Sequence, residues 1–83
     1  MRKGKVKVMR EKVESVCQSI LRTAADSVDR RGEDVYSAYS WARGKLSGMA
    51  DAFLITYEFE LYYIANHYYN VADKRIYNAC FRR

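Results

Sequence analysis

The side chains able to do covalent or metal chemistry in this chain are few and widely spaced. His67 is the one histidine, and Cys17 and Cys80 are the two cysteines. A nucleophile needs a base within hydrogen-bond reach, and no serine or cysteine lies at a spacing that fixes it beside His67. Cys17, His67 and Cys80 could meet a zinc ion from separate helices with a carboxylate as the fourth ligand, yet the paired Cys-x-x-Cys spacing that marks such sites is absent. Glu58 and Glu60 stand two residues apart and so fall on different faces of a helix, which rules out a carboxylate dyad there. The residues therefore name no catalytic group, no metal site and no cofactor, and the expected class is a non-enzymatic protein.

Elements that carry no catalyst must instead present surfaces, and the charge distribution marks the first of these. The chain has 83 residues and a net charge of +5. Residues 1–12 hold six basic side chains, among them Lys3, Lys5, Lys7 and Arg10, against Glu11 alone. Residues 13–72 carry a net −3, and residues 73–83 carry +3. Basic ends flank a weakly acidic body, an arrangement that attracts phosphates or acidic protein surfaces through salt-screened steering.

Nearly half of the residues are apolar and none is proline, which favours long helices over disorder. The basic start is followed by Glu11, Lys12 and Glu14 rather than an apolar run, so it does not read as a signal peptide. The longest uncharged run, Leu61 to Ala72, is broken by Asn66, His67 and Asn70 and falls short of the roughly 20 residues of a membrane span. A reducing, cytoplasmic setting with free thiols is expected, with no membrane partner.

Apolar periodicity organises the rest. Val6, Met9, Val13, Val16, Ile20, Ala24 and Val28 recur at steps of three and four and define a first helix near 6–29, with residues 1–5 frayed because basic groups oppose the helix dipole there. Lys7 with Glu11 and Arg10 with Glu14 are expected to pair along its polar face. Gly32 suits a left-handed helix stop, and Asp34 suits an N-cap. The second helix, near 34–56, carries the stripe Val35, Tyr39, Ala42, Leu46, Met49, Phe53 and Tyr57. Ser40, Gly44, Gly48 and Ala52 run beside it as a line of small residues, expected to admit another helix at close range. Glu58 and Glu60 suit the start of a third helix near 58–79, and a break near residues 56–58 gives a single domain folded as an all-α, three-helix antiparallel bundle. No glycine, proline or asparagine marks that break. The alternative is one helix from Asp34 to Ala79 in a hairpin with the first, whose bare second half would require a homodimer.

The last third is crowded with rings: Tyr57, Phe59, Tyr62, Tyr63, Tyr68, Tyr69, Tyr77 and Phe81. One helix cannot bury all of them against two others. Tyrosine supplies large contact area at low entropic cost, so Phe59, Tyr62, Tyr63 and Tyr69 are the candidate apolar contact set, with Lys3, Lys5, Lys7, Arg10, Arg30 and Arg31 supplying charge complementarity.

The run Ala42-Arg43-Gly44-Lys45-Leu46-Ser47-Gly48-Met49-Ala50-Asp51-Ala52-Phe53 resembles a phrase found in small helical proteins of phages and mobile elements of gut Firmicutes, a pool that includes anti-CRISPR proteins. The resemblance implies an inhibitor that occupies a surface of a host nucleic-acid-processing protein, such as a CRISPR-Cas nuclease or its guide-RNA complex. Anti-CRISPR proteins that imitate DNA are acidic, and this basic chain departs from that pattern. The alternative is a nucleic-acid-binding module whose basic ends contact phosphates and whose tyrosines stack unpaired bases.

Overall fold

The computed structural model describes the backbone of residues 3–81 and the side chains of residues 7–81. Three helices follow one another: α1 (Lys3–Arg31), α2 (Val35–Ile55) and α3 (Phe59–Phe81). All three pairs are in contact, so the chain forms the expected antiparallel three-helix bundle. The rod measures 46 × 22 × 17 Å, and its radius of gyration of 14.0 Å exceeds the roughly 12 Å typical of a compact domain of this length.

Both connections close by left-handed residues. Gly32 takes φ 68°, which lets the Glu33 N–H turn back to the Ser27 carbonyl at 3.0 Å. Asp34 then caps α2, its carboxylate accepting from the Ser37 N–H at 3.2 Å. At the second turn the left-handed position is filled by Tyr57, with φ 59°. The Tyr57 N–H donates to Leu54 at 3.2 Å and the Glu58 N–H to Phe53 at 2.8 Å, the paired bonds of a Schellman stop. Thr56 adds a local tie: its hydroxyl lies 2.7 Å from the Glu58 carboxylate and 3.1 Å from the Ala52 carbonyl. The uninterrupted helix from Asp34 to Ala79 is excluded, and the break falls at the expected place without glycine.

The core is narrow and rich in alanine. Cys17 and Ala24 from α1, Ala38, Tyr39, Ala42, Leu46 and Ala50 from α2, and Leu61, Ala65, Ala72 and Ile76 from α3 are buried. Alanine lets helix axes approach, so here it is the buried alanines that bring the backbones together. The line Ser40, Gly44, Gly48 and Ala52 does not. Gly44, Gly48 and Ala52 are exposed, and a Cβ built on either glycine meets nothing within 4 Å. The stripe was expected to pack closely, but the Ala38–Ala42–Leu46–Ala50 face takes both neighbours and turns the small residues to solvent. Ser40 alone is partly covered, its Oγ buried without a hydrogen-bond partner.

On α1 the buried line is likewise rotated from expectation. Cys17 is fully buried while Val16 is 47% exposed, because α1 must face both α2 and α3 and its contact centre lies between Val13, Ile20 and Leu21. The expected intrahelical pairs also give way to bonds between helices. Arg10 lies 3.8 Å from Glu60, and Glu14 accepts from the Tyr68 hydroxyl at 3.2 Å. Helix α1 starts at Lys3, inside the segment expected to fray, of which Met1 and Arg2 lie outside the described residues. Lysine is a good helix former, and an unfavourable charge in the first turn costs only about 0.3–1 kcal/mol.

Candidate interaction surfaces

Three cross-helix contacts fix the register of the rod. The Cys17 thiol lies 3.8 Å from Met49 Sδ. Gln18 Nε2 donates to the Tyr68 hydroxyl at 3.2 Å, and Arg43 pairs with Asp73 at 2.7 Å. With Arg10 level with Glu60, the second residue of α3, the first turns of α1 run on past the turn between α2 and α3.

That turn forms an apolar tip. Leu54 is 45% exposed, Ile55 77%, Tyr57 78% and Phe59 48%, and Tyr63 follows one turn along α3 at 66%. The Tyr57 and Phe59 rings meet edge to face at 6.2 Å between centroids, and Tyr62 and Tyr63 at 5.5 Å. Of the four expected aromatic contacts, Phe59 and Tyr63 lie open on this tip. Tyr62 and Tyr69 are half-buried and pack on the core, so they are edges of the interior first. Leu54 and Ile55 close α2 off its apolar stripe and so escape a reading by helical period, whereas Tyr57, which the period places on that stripe, sits in the turn beyond the helix end and is exposed.

The basic candidates do not form one patch. Lys7 and Arg10 are exposed near the α2–α3 end, while Arg30 and Arg31 are exposed at the α1–α2 turn at the opposite end of the rod. Lys3 and Lys5 belong to α1, and their side chains lie outside the described residues. At the Arg30–Arg31 end, an open cleft of about 640 Å³ is lined by Thr23, Ser27, Arg31, Glu33, Ala38 and Trp41. Arg31 donates to the Ser27 hydroxyl at 3.1 Å, and the Lys45 ammonium stands 5.8 Å from the Trp41 ring centroid. Trp41 was absent from the expected site residues because it falls off the apolar stripe of α2, as a surface ring does.

Three groups have pKa values displaced by their packing. Burial, with Glu14 nearby, pushes the Cys17 thiol up to about 11, so it is a protonated packing group at neutral pH. Burial raises Tyr68 as well, opposed by the hydrogen bond from Gln18. The hydrogen bond to Asp73 holds the Arg43 guanidinium above its ordinary value. Among the described residues no three His, Cys, Asp or Glu side chains converge as a metal site; Cys17 is buried and Cys80 exposed. No helix is long and apolar enough to cross a membrane among the described residues. Compared with protein-family models, curated proteins and solved structures, the chain matches none.

Proposed function

We propose that this is a non-enzymatic binding protein belonging to a phage or mobile element, an inhibitor that acts in the bacterial cytoplasm by seating its α2–α3 tip on a host nucleic-acid-processing protein such as a CRISPR-Cas nuclease. The observation that carries the docking part is the tip itself. Ile55 and Tyr57 hold large apolar side chains more than three-quarters exposed on a turn fixed by its own hydrogen bonds. Adjacent exposed apolar and aromatic groups on a rigid support are the usual centre of a protein interface. Lys7 and Arg10 beside it favour an acidic rim on the partner. The nuclease as partner rests on the resemblance of Ala42–Phe53 to phage proteins.

The test is cleavage of target DNA by guide-loaded Cas nucleases titrated with the purified protein and with three variants, Ile55→Ser, Tyr57→Gly and Phe59→Ser. Inhibition by the native chain, lost in all three variants while their helical content is kept, is the expected result. Absence of inhibition across the nucleases tried overturns the partner. Undiminished inhibition by the variants overturns the tip. Titration with labelled DNA and RNA between roughly 50 and 200 mM salt separates the alternative of a module bound to phosphates through its basic ends, whose affinity would fall by orders of magnitude over that range.

A further inference from the structure

The cleft at the other end of the rod has no part in the tip, and its chemistry is different. Its wall is an aromatic ring, Trp41, 45% exposed and the one tryptophan of the chain. Its polar groups are a cation, Arg31, a carboxylate, Glu33, and the hydroxyls of Thr23 and Ser27. The Thr23 proton is committed to the Ser19 carbonyl at 2.9 Å, and Ser27 accepts from Arg31, which keeps further N–H donors. Neither Arg31 nor Glu33 takes part in the two ion pairs found among the described residues. Opposite, solvent-exposed charges thus stand in one cleft beside a flat ring, in a volume within the usual range for a small ligand.

A ligand that is planar, anionic at one end and a donor of two hydrogen bonds at the other satisfies all three. We infer that the cleft binds an unpaired guanine nucleotide, its base stacked on Trp41, its Watson–Crick edge on Glu33 and its phosphate on Arg31. Guanine is selected by the carboxylate. Its N1–H and N2–H₂ form adjacent donors that a carboxylate accepts together, whereas adenine, cytosine and uracil each present only one donor group in that edge, flanked by acceptors. Stacking on the indole supplies affinity without regard to base, and the carboxylate supplies the choice. The Lys45 ammonium, 5.8 Å from the Trp41 ring centroid, adds positive charge at the edge of the same site.

The single tryptophan makes the test direct, since its fluorescence reports on the cleft alone. The folded protein is titrated with GMP, AMP, CMP and UMP, and with short single-stranded oligoguanylate-containing and oligoadenylate RNAs. Saturable quenching by the guanine probes, at least about tenfold tighter than by the adenine ones, is expected, a ratio of the size that one bidentate edge contact gives. Saturation by GMP identifies a mononucleotide site, and saturation by the oligonucleotide alone identifies a strand site; both sustain the inference. Glu33→Gln should remove the guanine preference and Arg31→Met should weaken every nucleotide, with circular dichroism confirming that each variant is folded. The inference is overturned by unsaturable quenching with all probes, by equal affinity for the four bases, or by a Glu33→Gln variant that binds GMP like the native chain. Because the tip lies at the opposite end, Tyr57→Gly should leave this binding intact.

Discussion

Replacing Gly44 and Gly48 by alanine should stabilise the protein, and the size of the gain follows from where these residues sit. Both are interior to α2, and a Cβ at either position meets no atom within 4 Å. No packing change accompanies the substitution, so the effect reduces to helix propensity, in which glycine is about 1 kcal/mol worse than alanine per residue. The positions are four apart on an open face with no shared partner, so the gains should add to about 2 kcal/mol. For a domain of this length that corresponds to a rise in melting temperature of roughly 8–16 °C. The assay is thermal and urea unfolding of the two single variants and the double variant, followed by circular dichroism. If the small stripe received another helix at close range, each added methyl would overpack the contact and cost about 1–3 kcal/mol instead. A lowered melting temperature in the double variant would therefore refute the outward orientation of the stripe, and one lowered only at high protein concentration would reveal a self-associated contact.

Two further stability predictions use other features. Tyr57→Gly removes the about 1–2 kcal/mol that a side chain costs in the left-handed region, offset by the greater freedom of glycine in the unfolded chain, so a net gain of about 0.5–1 kcal/mol is expected in urea unfolding; destabilisation would mean that the ring itself holds the turn. The Cys17 thiol sits at about 11 in the folded protein against an ordinary 9.0, so its protonated form is favoured by folding. Its contribution is complete below pH 9.0 and is lost as pH rises toward about 11, and the native chain should lose more stability across that window than Cys17→Ala; parallel curves would contradict it.

Periodicity made the helices legible, and it did so because burial selects one face of each. Gly32 and Asp34 announced the first turn through chemistry that only a few residues can perform. The second turn was readable only from weak hints, since Tyr57 occupies a left-handed position that its side chain opposes and the Schellman bonds are made by backbone. The rotation of α1 toward Cys17 was hidden because a single helix does not reveal how many neighbours it will have. The small stripe misled for a related reason: spacing shows that Ser40, Gly44, Gly48 and Ala52 share a face, and only the packing of the alanines shows that this face is the outer one. Of the expected site, Phe59 and Tyr63 proved open, whereas Tyr62 and Tyr69 proved to be core edges, and Arg31 belongs to a cleft with Trp41 that no run of sequence brings together.

The left-handed tyrosine has a consequence for association. A backbone conformation that its own residue disfavours persists only when the surroundings over-determine it. At this turn the over-determination comes from two main-chain bonds and the Thr56–Glu58 contact. The Cα–Cβ direction of Tyr57 is therefore settled before any encounter, and much of the ordering entropy that a flexible loop would surrender on binding has already been surrendered in folding. A surface prepared in this way should associate without a slow rearrangement, with differences among its variants expressed in how quickly the complex comes apart.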